Sequence, residues 1–180
     1  MPNDDEAQLV RQASAGDPAA VSALYQRYVD VVFQYIAYRV RDTQLAEDLT
    51  AEVFLRAVEG LSDYQERGAP FLAWLYRISH ARVVDHWRKT NRHPSVPLDD
   101  LPEHEATQDD DGLNVDVLQH NALLEALLEI TAEQQEVLIL RFVQGLSNDE
   151  ISQIVNKSVG AVKALQRRGL EALARRLKEQ

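Results

Sequence analysis

One acidic stretch constrains the fold of this chain more than any other sequence feature. Residues 93–116 contain eight acidic side chains and no lysine or arginine, and three of the six prolines of the chain lie there. A segment with so much like charge and no apolar periodicity cannot form a packed core. We therefore interpret residues 93–115 as an extended or disordered linker between two units, residues 1–92 and residues 116–180.

The two units have the sequence pattern of helices. Apolar residues recur every three or four positions, and the few glycines and prolines fall at the breaks. We predict an all-α protein with four helices in residues 1–92, and then helices over 115–130, 131–145, 147–156 and 158–177. The residues predicted to cap or start helices are Asp17, Asp42, Thr131, Ser147 and Ser158.

The periodicity also predicts which helix faces are buried in the N-terminal unit. On the second helix the predicted apolar face is Val21, Leu24, Tyr25, Tyr28, Val31, Val32, Tyr35 and Ile36. On the third helix it is Ala46, Leu49, Val53 and Ala57, widened by Leu45, Phe54 and Val58.

Composition argues against several classes of protein. The chain has no cysteine, which excludes disulfides and thiolate metal sites and is typical of a cytoplasmic protein. The acidic start "MPNDDEAQ" does not resemble a secretory signal, and no apolar run is long enough for membrane insertion. The five histidines are scattered and there is no glycine-rich phosphate loop. We expect no metal, no cofactor and no enzymatic activity.

The net charge of −10 hides two basic segments. Residues 77–92 carry five basic side chains and one acidic side chain, and residues 157–180 carry seven basic and two acidic side chains. Because local clusters of charge determine the local potential, both segments are candidates for nucleic-acid binding.

The C-terminal basic segment belongs to a predicted helix-turn-helix, "NDEISQIVNKSVGAVKALQRR" (148–168). Ile151, Ile154 and Val155 would face inward from the first helix, and the second helix would read DNA in the major groove. The simpler alternative is a helical hairpin with a solvated basic face. The predicted DNA-binding residues are Lys157, Ser158, Ala161, Lys163, Ala164, Arg167 and Arg168.

The other basic segment, "FLAWLYRISHARVVDHWRKTNR" (71–92), mixes aromatic and cationic side chains. That combination is typical of single-stranded nucleic-acid binding, in which aromatic rings stack on bases and cations contact the backbone. Spacing favours a core position for Trp74 and an exposed one for Trp87.

A third candidate surface is the stripe Asp48, Glu52 and Arg56, spaced four apart opposite the apolar side of its helix. Taken by itself, this stripe is most simply a solvated face with a Glu52–Arg56 ion pair contributing about 0.3–0.5 kcal/mol.

Together these segments resemble a known family. "AEDLTAEVFLRA" (46–57) and "FLAWLYRISHARVVDHWRK" (71–89) are similar to region 2 of bacterial sigma factors, and "TAEQQEVLILRFVQGLSNDEISQIVNKSVGAVKALQRR" (131–168) is similar to region 4. Two small helical domains joined by a flexible acidic linker, with no middle domain, resemble the extracytoplasmic function (ECF) subfamily.

The resemblance implies a function for each part. Residues 1–92 would form a four-helix region 2 domain, in which Asp48, Glu52 and Arg56 dock on the clamp helices of core RNA polymerase. Residues 116–180 would form the region 4 domain, whose last helix reads the −35 element of the promoter. The acidic linker would run near the polymerase active site and the RNA exit path. An anti-sigma factor is a further expected partner.

The resemblance also implies that the loop 61–69 and the helix 71–92 read and open the −10 element, with a flipped base held by the loop. The residues expected to bind −10 DNA are Asp63, Tyr64, Arg77, His80, Arg82, Trp87, Arg88 and Lys89.

Two alternatives stay open at this point. A helix-turn-helix regulator that acts without polymerase docking usually carries an α/β domain, and residues 1–92 show no strand pattern. A helical protein-interaction module does not need the basic face of residues 157–176.

Overall fold

All regular structure that the computed structural model describes is helical, as predicted; the described residues are 4–65, 70–90, 126–127 and 129–179. The chain divides into two compact units, whose main bodies are residues 1–92 and 93–180. The predicted linker, residues 93–115, lies outside the described residues, so its bounds stay a prediction. None of the helices in the described ranges is both long and apolar enough to cross a membrane.

Two helices of the N-terminal unit begin at the predicted capping residues Asp17 and Asp42. The Asp17 carboxylate accepts a hydrogen bond from the Ala19 amide at 2.9 Å, and Asp42 accepts one from the Leu45 amide at 2.9 Å. Arg41 adopts a left-handed conformation (φ 56°) that ends one helix and allows the next to turn back. The elements are α1 (Asp4–Ser14), α2 (Pro18–Val40), α3 (Thr43–Gly60), a 3₁₀ turn (Leu61–Asp63) and α4 (Phe71–Thr90).

Aromatic rings fill much of the core between α2, α3 and α4. Tyr35 of α2 and Tyr76 of α4 are fully buried, with ring centroids 5.1 Å apart. In a second group of rings, the centroids of Tyr28 and Phe71 are 5.8 Å apart, and those of Phe71 and Trp74 are 5.3 Å apart. Since each buried ring removes a large apolar area from water, these contacts fix α4 against α2.

The buried faces of α2 and α3 are narrower than the periodicity of their sequences predicts. Tyr25 is 47% exposed and Val58 is 51% exposed, although both fall on predicted apolar faces. The Tyr25 ring contacts the Phe54 ring edge-on, with the two centroids 4.8 Å apart. An apolar cavity of about 310 Å³ remains, lined in part by Pro18, Val21, Tyr25, Phe54 and Val58.

Two helices of the C-terminal unit start at the predicted caps Thr131 and Ser147, and each cap is part of a capping box. The Thr131 hydroxyl accepts from the Gln134 amide, and the Gln134 side chain accepts from the Thr131 amide, each at 3.3 Å. Ser147 and Glu150 make the same reciprocal pair. The described elements are α5 (Ala132–Leu138), a π-helical turn (Ile139–Val143), α6 (Asn148–Val155) and α7 (Val159–Glu179). Most of the helix predicted over 115–130 lies outside the described residues.

The helix predicted over 131–145 does not continue as an α-helix. After Leu138 the backbone widens into the π-helical turn, closed by a hydrogen bond from the Gln144 amide to the Ile139 carbonyl at 3.0 Å. The Arg141 guanidinium donates to the Leu146 carbonyl at 2.8 Å, and this bond ties the turn to the start of α6. The wider turn leaves Phe142 62% exposed.

Helices α5 and α7 approach each other closely at Gly169. A Cβ atom at this position would lie 2.9 Å from Leu138 Cδ1 and 3.3 Å from Gln134 Cβ. The absence of a side chain at Gly169 therefore permits the contact that holds α7 on the unit.

Candidate nucleic-acid interface

Helices α6 and α7 form the predicted helix-turn-helix. Ile151, Ile154 and Val155 of α6 are buried, which confirms the predicted inward face of that helix, and Val162 and Leu165 of α7 are buried as well. At the turn Asn156 takes a left-handed conformation (φ 53°), and its amide donates to the Ser152 carbonyl. A hydrogen bond of 2.8 Å between the side chains of Gln166 and Asn148 adds a second link between the helices.

The outward face of α7 carries Lys163, Ala164 and Arg167. Lys163 and Arg167 are exposed, and the small Ala164 between them is half-buried. Arg167 lies 3.9 Å from Glu171, an exposed pair that competing contacts can break at little cost. This face therefore offers two cations beside a small residue.

Lys157, Ser158 and Ala161, also predicted for −35 binding, have local partners. The Ser158 hydroxyl accepts from the Ala161 amide at 3.2 Å, as the predicted cap requires. Lys157 Nζ lies 2.8 Å from Glu133 Oε1 of α5. Both groups thus help to fix the N-terminal end of α7, at the point where a recognition helix meets DNA.

Arg168 lies on a different side of α7 from Arg167. It lines a polar cavity of about 480 Å³ between the segment before α5 and the second half of α7. Arg176 pairs with Glu129 at 2.9 Å in the same cavity. Arg175 also lines this cavity and is exposed. It is not among the residues predicted from the sequence, although the repeated basic residues near the end of the chain include it.

Helix α4 distributes its predicted DNA-binding residues over several sides. Arg77 and Arg88, eleven residues apart, point outward together and are exposed. His80 and Trp87, seven apart, share one flank and are half-buried. The other flank carries Arg82 and Lys89. The helix thus presents cations on its outer surface and an aromatic ring on one edge.

Arg82 is engaged within the helix. Its Nη2 lies 2.7 Å from Asp85 Oδ2 on the next turn, and both side chains are partly buried. The charge of Arg82 is therefore offset by a neighbour, in contrast to the exposed Arg77 and Arg88.

Trp87 is stacked on a cation from another helix. The Arg39 guanidinium carbon lies 4.7 Å from the centroid of the indole ring, and Arg39 itself is only 1% exposed. The sequence prediction of an exposed Trp87 is thus met in part, because the ring is half-buried with its inner face against Arg39.

The 3₁₀ turn before α4 ends at Asp63, and Tyr64 follows it directly. Asp63 is exposed, whereas the Tyr64 ring packs at 5.3 Å from Phe71 and 5.0 Å from Trp74. Residues 66–69 of the predicted reading loop lie outside the described residues.

The first turn of α4 is tied to α1 through Glu6. The Glu6 carboxylate accepts a hydrogen bond from the Phe71 amide at 3.3 Å and also bonds the Tyr28 hydroxyl. Burial raises the pKa of Tyr28, and the hydrogen bond to Glu6 raises it further. Burial likewise raises the pKa of Tyr76.

The stripe Asp48, Glu52 and Arg56 is exposed along α3, as predicted from its spacing. Arg56 pairs with Glu59 at 3.0 Å, so the ion pair seen here differs from the Glu52–Arg56 pair that spacing suggested. Leu55, which sequence reasoning missed, lies within this acidic surface and is 60% exposed. In the sequence, Leu55 is recognisable only as an apolar residue that does not fall on the predicted apolar face of α3. Across the described ranges, no cluster of acidic or histidine side chains could hold a metal ion.

Comparison with known proteins agrees with this arrangement. The family model described as Sigma-70 region 2 matches residues 24–93, and the one described as Sigma-70, region 4 matches residues 120–173. The structure of CnrH, solved in complex with the cytosolic domain of CnrY, is similar in fold with a TM-score of 0.72 and 21% identity; the match covers 97% of this chain and 98% of that one.

Two curated relatives are similar over most of this chain. The ECF RNA polymerase sigma factor BldN of Streptomyces coelicolor is 38% identical over 171 residues, 94% of this chain and 65% of BldN. The ECF RNA polymerase sigma factor SigD of Mycobacterium tuberculosis is 36% identical over 173 residues, 92% of this chain and 80% of SigD. The chain thus spans just under two thirds of the length of BldN. With both regions matched in order, the chain belongs to the ECF group of RNA polymerase sigma factors.

Proposed function

We propose that this chain binds core RNA polymerase and directs it to promoters by contacting the −10 and −35 elements. The observation that carries the proposal is the presence of two different nucleic-acid surfaces in one chain. One is a helix-turn-helix suited to duplex DNA, and the other is a helix with aromatic and cationic side chains suited to an opened strand.

The −35 element is read by the N-terminal half of α7. Lys163 and Arg167 extend from the outward face, where they reach base edges or phosphates, and Ala164 permits close approach to the groove. Lys157 and Ser158 hold the start of the helix. Ala161 and Arg168, on the other flank, contact the adjacent backbone.

The −10 element is bound by α4 and the turn before it. Arg77, Arg88 and Lys89 supply exposed positive charge for the backbone, and Trp87 stacks on a base of the opened strand. Asp63 and Tyr64 form one side of the pocket for the flipped base. His80 and Arg82 lie on the flanks of α4, further from its outer face, and contact the −10 DNA from the sides.

Polymerase docks on α3. Asp48 and Glu52 are exposed on the same face of α3 as Leu55, so that a partner helix with an apolar contact and basic neighbours fits this surface. We assign this partner as the clamp helices of core polymerase. Arg56 and Glu59 at the edge form an ion pair that can exchange with the charges of the partner.

In this proposal polymerase supplies the catalysis, so the factor is not an enzyme and needs no cofactor. It acts in the cytoplasm, where polymerase and promoter DNA are found. The region 2 domain is residues 1–92, the linker is residues 93–115 and the region 4 domain is residues 116–180. A further partner is an anti-sigma factor, which binds this chain and covers its docking surfaces.

Transcription with purified components tests the proposal. The full-length chain is mixed with core polymerase and promoter fragments from its own genome, and promoter-specific transcripts are measured. We expect the double variant Asp48→Ala with Glu52→Ala to lose holoenzyme assembly, whereas Asp30→Ala on α2 keeps it. We expect Arg167→Ala to weaken −35 duplex binding by about 1–3 kcal/mol, whereas Lys178→Ala does not.

Two outcomes would separate the alternatives. Duplex binding by the free chain with no transcripts from any promoter would favour a helix-turn-helix regulator. Holoenzyme assembly that is unaffected in the double variant would remove α3 from the docking surface.

A further inference from the structure

Arg39 is a buried cation that the proposed contacts with polymerase and DNA do not use. It lies in the last turn of α2 and is 1% exposed. Its Nη1 donates to the Tyr35 hydroxyl at 3.4 Å, and its guanidinium carbon lies 6.0 Å from the Tyr35 ring and 4.7 Å from the Trp87 ring. Because a buried charge is costly unless it is compensated, these aromatic faces and the hydroxyl are part of its stabilisation.

The contact with Trp87 joins two distant parts of the chain. Arg39 lies in the last turn of α2, two residues before the left-handed Arg41, whereas Trp87 lies near the end of α4. A planar guanidinium over an indole ring favours one orientation of the ring and reduces its rotational freedom. Trp87 is half-buried, so part of its side chain stays accessible, and Arg88 and Lys89, which follow it in the chain, are exposed.

We infer that Arg39 is a positioning residue for −10 recognition: it stacks on the inner side of Trp87 and holds the indole ready to receive an unpaired base on its accessible side. This inference rests on the proposed function. Its physical basis is preorganisation, since a ring that is already fixed loses less entropy when a base stacks on it.

The alternative is that Arg39 only fills the core. The two possibilities differ in what happens once Trp87 is gone. A core role alone predicts the same effect of an Arg39 substitution with and without Trp87. A positioning role predicts that the effect on DNA binding requires Trp87.

A double-mutant cycle on the holoenzyme tests this inference. Binding to a single-stranded −10 non-template oligonucleotide is measured for the wild type, Arg39→Met, Trp87→Ala and the double variant. We expect Arg39→Met to weaken binding roughly three- to tenfold, a range set by the strength of a cation–π contact. In the Trp87→Ala background we expect no further loss. An equal loss in both backgrounds, or no loss in either, would overturn the inference.

Two controls keep the result interpretable. If Arg39→Met does not fold, Arg39→Lys takes its place; it keeps the charge but not the planar group, and we expect a loss of the same kind that again requires Trp87. Binding of a −35 duplex should be unchanged in every variant of the cycle; a parallel loss there would indicate general damage and count against positioning. If the wild-type holoenzyme itself does not bind the −10 strand, the proposed function fails rather than the role of Arg39.

Discussion

The two units of this chain differ in the types of side chain that they pack. Eleven of the twelve Phe, Trp and Tyr residues lie in residues 1–92, and the remaining one, Phe142, is mostly exposed. The N-terminal unit therefore packs rings against rings, whereas the described part of the C-terminal unit is held by aliphatic side chains, two capping boxes and the close approach at Gly169.

This difference indicates where each unit is vulnerable. A buried ring contributes 150–250 Å² of contact area, so the loss of one ring removes a large share of the N-terminal core. The C-terminal unit is small, and for a unit of this size we expect only modest stability. Its weak points are accordingly local: a hydroxyl at a helix start and a glycine where two helices meet.

The largest expected effect is the loss of a ring from the aromatic core. We expect Tyr76→Ala to lower the free energy of unfolding of the N-terminal unit by about 3–5 kcal/mol, because it leaves a cavity beside Tyr35. Denaturant unfolding followed by tryptophan fluorescence measures this, since both tryptophans lie in that unit. Tyr76→Phe, which keeps the ring, should cost far less. Equal losses for the two variants would show that ring packing is not what holds α4.

Alkaline pH should weaken the same unit. The pKa values of Tyr28 and Tyr76 are raised in the folded chain, so their stabilising contribution is complete below the ordinary tyrosine pKa and is lost as the pH rises above it. We expect a loss of about 1.4 kcal/mol per buried tyrosine between pH 9 and pH 11. Unfolding midpoints at pH 9 and 11 measure it, and Tyr28→Phe should reduce the difference. A midpoint that does not change with pH would contradict this assignment.

In the C-terminal unit the close approach at Gly169 can be tested with a second glycine of α7. We expect Gly169→Ala to destabilise the unit by about 1–2 kcal/mol, because overpacking against Leu138 outweighs the gain in helix propensity. Gly160→Ala is the matched control: a Cβ there meets only Ser158 Oγ at 4.0 Å, so we expect a gain of up to about 1 kcal/mol. Amide hydrogen exchange along α5 and α7, measured for both variants, distinguishes the expected destabilisation from the expected gain. Stabilisation by both substitutions would mean that the helices can move apart freely.

The smallest expected effect concerns a cap. Ser147→Ala removes the hydroxyl that accepts from the Glu150 amide, and we expect a loss of about 1 kcal/mol with faster amide exchange in the first turn of α6. Ser152→Ala, within the same helix, should not show this loss. If exchange in that turn were the same in both variants, the capping box would contribute little.

Sequence reasoning was most successful where structure is determined locally. Caps such as Asp17 and Thr131 depend on residues two or three positions away, and the structure has them as predicted. The angle at which two helices cross is not a local property. Periodicity alone therefore placed Tyr25 and Val58 in the core, whereas the structure leaves them half exposed.

The candidate site shows the same limit. The spacing of Asp48, Glu52 and Arg56 was enough to predict an exposed stripe on α3. No local pattern reveals that Arg39 is buried against Trp87, because the two residues come from helices far apart in the chain. The contact depends on tertiary packing, and an arginine in the last turn of a helix is ordinarily expected to be solvated.

The hydrogen bond from the Phe71 amide to Glu6 spans 65 residues and has a consequence for synthesis. At a translation rate of about 5–20 residues per second, Glu6 leaves the ribosome roughly 3–13 s before its partner. During that interval α1 can pack on α2, but its carboxylate has no amide to accept from. The first turn of α4 is thus among the last parts of the N-terminal unit to be secured, and the helix that we propose to contact the −10 element is complete only when the whole unit has emerged.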